Sequence, residues 1–525
     1  MSTKTIILFK MQSPFVFHAK PQRLKAYALF CAHISLVLCF SKRSVIAIFI
    51  SCFASLRLCV ITLFSLFILQ SCSSGNDAKM VNSGVKDAIP LIEKFHTGEI
   101  INKVICKNDS KQSYALYLPA NYSEEKKHPV IYAFDPHAAG ELPVNLYKNL
   151  AEKYGYIIIG SNNSKNGTSW EESQSIAEIL FADAGNRLSI NTDRIYVMGF
   201  SGGARVANTL AITNGSIAGV ICCGAAAPLA SNNHSRNNYS FLGIVGNEDF
   251  NYVEMKKYDM VDIAGYNIKH VLITFDGKHE WPANEVMDEA FWWLALNEMR
   301  KNNSAKNDVL ISQHLETELK KIEMFKQKNL VVDAYKLCQK NINFYDGLAD
   351  LSSCFAYYKS MHDNPEIDNH LKQEEVIWTE EEELKKVYMR AFQTEKFAWW
   401  SKNIATLNHQ IETENDKNKI LLNKRIRGFL SLMAYMYTSG ALQQNNLPAA
   451  AFFGEIYILV DPKNNEAHYL KAVVLSKKGN NIEAIKSLNL AIVNGYTDIE
   501  RLENEPAFNE IKSTKEFGVM IKNMK

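Results

Sequence analysis

Gly199-Phe200-Ser201-Gly202-Gly203 lies between the run Arg194-Ile195-Tyr196-Val197-Met198 and the stretch Ala204-Arg205-Val206-Ala207-Asn208-Thr209-Leu210. The first flank has the β-branched and aromatic content of a buried strand, and the second has the apolar spacing of a helix. A serine framed by glycines at a strand-to-helix turn is the pattern of a nucleophile elbow. Glycines let the backbone take the tight turn that lifts the Ser201 hydroxyl clear. The same turn aims the amide of Gly202 at the place where a tetrahedral oxyanion would form.

A serine hydroxyl is a weak nucleophile at neutral pH, so the pattern needs a base and a group to orient that base. Downstream, Phe241-Leu242-Gly243-Ile244-Val245-Gly246 predicts a strand that runs into Asn247-Glu248-Asp249. A second predicted strand, Val271-Leu272-Ile273-Thr274-Phe275, is followed by Asp276-Gly277-Lys278-His279-Glu280-Trp281-Pro282. Strand ends are where an open α/β sheet carries its chemistry. His279 is therefore the candidate base, with Asp249 and Glu248 both candidates for the orienting acid.

The surrounding pattern is that of a doubly wound sheet. Residues 113–119 alternate, 128–134 and 218–221 are apolar, and Tyr156-Ile157-Ile158-Ile159-Gly160 is a solid run of the kind buried on both faces of a parallel sheet. Between that run and the elbow, residues 170–186 have helical spacing. Strands alternating with helices give an α/β layer architecture.

Residues from about 103 to 299 resemble the α/β-hydrolase family, in particular the bacterial esterases that include feruloyl esterases, polyhydroxybutyrate depolymerases and dienelactone-hydrolase-like proteins. The resemblance rests on Gly199 to Gly203, on the chain order Ser201, Asp249, His279, and on Gly277-Lys278-His279-Glu280-Trp281-Pro282, which is similar to a Gly-His-x-Trp-Pro ending. It implies Asp249, not Glu248, as the acid. It also implies a second oxyanion donor in the loop Asp135-Pro136-His137-Ala138-Ala139-Gly140. Ala138 stands where the family has a glycine after the histidine, which leaves the amides of His137 and Ala138 as alternative donors. Trp170 and Trp281 are expected to flank the pocket, as would suit an aromatic or sugar ester. The implied chemistry needs no metal and no cofactor.

The beginning of the chain has a different character. Residues 1–76 contain no Asp or Glu but carry Lys4, Lys10, Lys20, Arg23, Lys25, Lys42, Arg43 and Arg57. A basic, acid-free, largely apolar segment of this kind targets a protein for export. Its last apolar block, 58–69, is short for a spanning helix and ends in Leu69-Gln70-Ser71-Cys72, which resembles a bacterial lipobox with Cys72 as the lipidated residue. A spanning helix over 45–69 is the alternative anchor. Either way the protein is expected in the bacterial cell envelope, attached to a membrane.

Without the leader, Lys+Arg falls from 58 to 50 while Asp+Glu stays at 56, so the full chain's net charge of +2 becomes about −6. A nucleic-acid partner does not fit that balance. Of the ten cysteines, Cys31, Cys39, Cys52 and Cys59 precede Cys72, leaving Cys106, Cys222, Cys223, Cys338 and Cys354. An odd number without metal-like spacing argues against a disulfide framework.

Past about residue 303 the composition shifts to Lys, Glu, Leu and Asn with few glycines, and all of it is expected to be helical. Asn445-Asn446-Leu447-Pro448-Ala449 recurs 35 positions later as Asn480-Asn481-Ile482-Glu483-Ala484, pairing Leu447 with Ile482, Ala449 with Ala484 and Phe453 with Leu488. A helix-pair period near this length resembles tetratricopeptide repeats, which act as protein-binding surfaces. The organisation expected is a leader over 1–71, a tether over 72–100, an α/β-hydrolase domain over 101–302 and an all-α tetratricopeptide-like domain over 303–525. The function expected is a secreted serine esterase acting on a small-molecule or polysaccharide-linked ester. The alternatives are a prolyl-oligopeptidase-like serine peptidase and an inactive hydrolase fold serving with the helical repeats as a binding platform.

Overall fold

A computed structural model describes residues 94–227 and 239–524. Glu93–Lys525 forms one compact unit. The leader, Cys72 and the tether as far as residue 93 lie outside the described residues. Among the described residues, no helix is long and apolar enough to cross a membrane.

Eight strands form one sheet: β1 (Ile100–Ile105), β2 (Ser113–Tyr117), β3 (His128–Phe134), β4 (Ile157–Ser161), β5 (Ile190–Phe200), β6 (Ile217–Cys223), β7 (Ser240–Gly246) and β8 (His270–Phe275). Their spatial order is β1-β2-β4-β3-β5-β6-β7-β8, with β2 antiparallel to both neighbours and every pair from β4 to β8 parallel. This is the strand order of the α/β-hydrolase fold. Every residue of β3 and of β7 is buried, as parallel strands covered on both faces must be.

The first helices cover those faces: α1 (Glu141–Tyr154), α2 (Trp170–Arg187), α3 (Gly202–Thr213), α4 (Tyr252–Lys257) and α5 (Asn284–Arg300). Alternation along β3 divides the core. Val130, Tyr132 and Phe134 pack with residues of α2, α3 and α4, while Ile131 and Ala133 pack with α1 and α5. Helix α2 starts where the Ser169 side chain accepts a hydrogen bond from the Glu172 amide, and α1 stops at Gly155, whose φ of 73° suits glycine at a helix end. Strand β5 begins four residues earlier than the apolar run suggests. Ile190 pairs with His128 and Ile195 with Val130, and the polar residues from Asn191 to Arg194 fall in the register irregularity between those pairs, where none is fully buried.

All further helices belong to the C-terminal region: α6 (Asp308–Gln327), α7 (Val331–Tyr345), α8 (Ser352–Ser360), α9 (Pro365–Thr394), α10 (Phe397–Thr413), α11 (Lys417–Gln443), α12 (Leu447–Val460), α13 (Asn465–Lys477), α14 (Asn481–Val493), α15 (Ile499–Asn504) and α16 (Lys515–Met524). The fold is thus an α/β-hydrolase followed by an all-α region. The two halves share their apolar interior: Trp292 and Trp293 of α5 cluster with Ile311 and Leu315 of α6 and with Phe344 and Tyr345 of α7. On the opposite side, Val253 of α4 enters the cluster built from α9 to α16.

Helices α12 and α14 start 34 residues apart, one less than the sequence alignment suggests. The buried positions follow the shorter register, Ala450 with Ala484, Gly454 with Leu488 and Tyr457 with Ala491. Asn446 and Asn480 each stand immediately before their helix in that register, and the Asn446 side chain accepts from the Ala449 amide. All five described cysteines are free and buried.

Candidate active site

The C-terminal ends of β5, β7 and β8 lie side by side, with Phe200 opposite Cys223, Cys223 opposite Ile244 and Gly246 opposite Phe275. The loops that leave these ends bring Ser201, Asp249 and His279 together. His279 Nε2 is 2.9 Å from Ser201 Oγ, and His279 Nδ1 is 2.9 Å from Asp249 Oδ2. The second carboxylate oxygen of Asp249 accepts a 2.8 Å bond from the Asn251 amide. Burial pushes the Asp249 carboxyl above its ordinary value, with the bonds from His279 and Asn251 opposing.

Ser201 has φ 51° and ψ −118°, a conformation that side-chain-bearing residues avoid. Its amide donates to the Cys223 carbonyl at 2.8 Å, which anchors the strained residue to the neighbouring strand. The flanking glycines are required by contact. A Cβ on Gly199 would stand 2.2 Å from the Gly203 carbonyl oxygen, and one on Gly203 would stand 2.0 Å from that of Phe134. Helix α3 can therefore press onto β3 and β5 only because those positions lack side chains.

Glu248, the other carboxylate considered from sequence, points elsewhere and pairs with Lys424 of α11 at 2.6 Å. In the loop after β3, Asp135 is 1% exposed and ties two segments together. Its Oδ1 accepts the His137 amide at 2.8 Å and its Oδ2 accepts the Trp281 indole N–H at 2.9 Å. Burial alone would raise the Asp135 carboxyl, but these donors outweigh it and hold it below its ordinary value. The Asp135 carboxylate, 3.6 Å from the ring Nδ1, in turn raises the His137 imidazole.

These contacts bear on the oxyanion loop. The His137 amide already has Asp135 as its acceptor, whereas the Ala138 amide makes only a long 3.3 Å turn contact to the Asp135 carbonyl. Ala138 has φ 61°, the left-handed conformation that glycine adopts most easily. The backbone thus keeps the glycine-like turn although the residue differs.

Trp281 stands at the site, its ring centroid 5.6 Å from that of Phe200, and Phe200 and Phe250 both lie against the His279 ring. Trp170 instead packs on the core beneath α2. Sequence reasoning missed three contributors. Gly224, with φ 70°, leaves space for the pair, since a Cβ there would stand 3.0 Å from Asp249 Oδ2 and 3.1 Å from His279 Nδ1. Asn251 donates its side-chain N–H to the Gly224 carbonyl at 2.8 Å. Asn166 places Oδ1 over Gly202, 1.7 Å from where a Cβ would be. None of the three belongs to a motif, and only the folded loops reveal them. Among the described residues, no group of three or more His, Cys, Asp or Glu is arranged to hold a metal ion.

This strand order with this elbow is that of the α/β-hydrolase fold. Over 168 residues the chain is 28% identical to a probable acetylxylan esterase A of Aspergillus fumigatus, a stretch that is 29% of this chain and 42% of that protein. The chain therefore spans less than half the length of this relative. No family model matches. Among solved structures, an esterase of the archaeon Pyrobaculum calidifontis aligns at 12% identity and a TM-score of 0.31, covering 40% of this chain and 88% of that one. A feruloyl esterase module of Clostridium thermocellum aligns at 14% identity and a TM-score of 0.30, covering 37% and 86%. The fold assignment rests on the strand order and the elbow.

Proposed function

We propose that the protein is a serine hydrolase that cleaves carboxylic esters through an acyl-enzyme. The observation that carries this reading is the continuous relay from Ser201 Oγ through the His279 ring to Asp249, with both links at 2.9 Å. His279 Nε2 takes the hydroxyl proton as Ser201 Oγ attacks the ester carbonyl, and Asp249 holds the other ring nitrogen and stabilises the imidazolium. The resulting oxyanion is met by the amides of Gly202 and Ala138. Collapse expels the alcohol, which takes its proton from His279. Water, deprotonated by the same imidazole, then releases the acid and frees Ser201.

The similarity to a probable acetylxylan esterase favours an acetyl ester on a sugar or polysaccharide as substrate. The buried Asp135 bond that keeps Trp281 beside the relay leaves an aromatic wall suited to a sugar ring. We place the enzyme in the bacterial envelope, lipid-anchored through Cys72, because of the acid-free leader and the Leu69-Gln70-Ser71-Cys72 stretch.

The test is hydrolysis of p-nitrophenyl acetate, acetylated xylo-oligosaccharides and a feruloyl ester by the wild type and by Ser201→Ala. The substitution should reduce turnover by about four orders of magnitude or more with an unchanged melting midpoint. Retained turnover, or hydrolysis of a dipeptidyl amide in preference to every ester, would contradict the reading.

A further inference from the structure

The helical region touches the catalytic apparatus at one place with unusual chemistry, the segment Asn247–Glu248–Asp249–Phe250 that carries the acid. Three amides of this segment are satisfied from within the hydrolase. Asn247 donates to Phe275, Glu248 to Gly277 and Asp249 to Gly246. Two carbonyls and one carboxylate of the same segment are taken by cations from beyond it. Arg425 of α11 donates to the Asn247 carbonyl at 3.0 Å, Lys385 of α9 donates to the Phe250 carbonyl at 2.7 Å, and Lys424 of α11 pairs with Glu248 at 2.6 Å.

The cations are themselves held in place. Glu381 of α9, with no exposed side-chain surface, receives Arg425 Nε on one oxygen at 2.7 Å and lies 2.7 Å from Lys385 Nζ through the other. Arg425 is only 3% exposed at its side chain and covers the Tyr252 ring at 4.8 Å. One turn further along α11, Gly428 faces Phe250, whose nearest ring atom would be in ordinary van der Waals contact, 3.5 Å, with an added Cβ. Phe250 in turn lies against the His279 ring, with centroids 4.2 Å apart.

A buried ion cluster is a poor way to glue two layers together, because desolvating its charges consumes most of the attraction. Its distinctive effect is geometric, since charge-assisted bonds fix the atoms they join. Two cations share the single carboxylate of Glu381, so each keeps donor capacity for a carbonyl of the acid segment. That pins the backbone on both sides of Asp249.

We propose that Arg425 and Lys385, with Lys424 beside them, are positioning residues of the hydrolase site, holding the segment 247–250 so that Asp249 and Phe250 stay registered on His279. The helical region is then a part of the active site and not an appended module. This rests on the serine-hydrolase reading given above.

The experiment uses the full chain. Arg425→Met, Lys385→Met, Lys385→Arg and Arg425→Lys are compared with wild type for kcat and KM on p-nitrophenyl acetate, for the rate of Ser201 labelling by a fluorophosphonate, and for melting midpoint. Misregistration of the acid should lower kcat by about tenfold to a hundredfold well below the melting midpoint. KM should stay within about twofold, since no substrate contact is removed. The labelling rate should fall in parallel, and Lys385→Arg should recover most of it because the donor to Phe250 is kept.

If Arg425→Met does not fold, the more exposed Lys385 carries the test alone. Labelled wild type with kcat and labelling unchanged in folded variants, or reduced only by the unfolded fraction, overturns the proposal alone. Absence of labelling in the wild type overturns the hydrolase reading and the proposal with it.

Discussion

The loop after β5 and the loop after β7 each deliver one member of the relay, yet they are held in different ways. Ser201 is fixed by its own neighbours: glycines within two positions of it, a strained φ of 51°, and an amide bond to the adjacent strand. Asp249 is fixed on one side by local turns and on the other by residues 135 to 178 positions further along the chain. A nucleophile elbow is therefore a motif that any domain can carry intact. The acid loop of this protein depends on the helical region that packs on it.

Substitutions at the acid loop break that contrast most sharply. Asp249→Asn should lower kcat by about four orders of magnitude, because an amide at that position leaves the His279 tautomer wrong for accepting the Ser201 proton. Glu248→Gln removes only a partly exposed pair with Lys424 and should cost less than about tenfold. Equal losses in the two variants, measured by steady-state hydrolysis, would mean that both carboxylates act on His279.

A smaller effect is expected at Asp135, which joins the oxyanion loop to Trp281. Asp135→Asn can accept only one of the His137 amide and the Trp281 indole N–H, since its Nδ2 is a donor, and should destabilise the fold by about 1–3 kcal/mol at neutral pH. The folded carboxyl lies below its ordinary value, so its contribution is present above that value and is lost as pH falls through the folded one. The folded His137 imidazole lies above its ordinary value, so that contribution is present in mild acid and is lost as pH rises. The advantage of wild type over the variant should therefore be greatest at about pH 5 to 6 and shrink on both sides. Denaturant midpoints across pH would show it, and a flat difference would contradict it.

The smallest change is at Ala138. Its φ of 61° favours glycine, so Ala138→Gly should raise stability by up to about 1 kcal/mol while leaving turnover within about twofold. A large loss of turnover would show that the Ala138 methyl contacts the substrate, making the departure from the family pattern a specificity feature.

Much of this arrangement is legible in the sequence because it depends on short-range rules. The glycines around Ser201 and the apolar runs of β3, β4, β5, β7 and β8 announce the strands, and each strand end points to its catalytic loop. Asp249 and Glu248 cannot be separated by their own neighbourhood, since both follow β7 and differ only in direction, which Lys424 and His279 decide. Gly224, Asn166 and Asn251 escape notice for the same reason, as their roles exist only once distant loops converge. In the helical region, single-residue register is not encoded in the apolar pattern. Ala449 and Ala450 are adjacent alanines, and only burial of Ala450 selects the 34-residue spacing of α12 and α14.

The central claim, that Ser201 is a nucleophile activated by His279, is tested most directly by mapping the site of fluorophosphonate modification in the full chain by peptide mass spectrometry. One adduct is expected, on the peptide containing Ser201, formed at a rate that collapses in His279→Ala. An adduct on a different serine, or labelling of Ser201 that is indifferent to loss of His279, would contradict it.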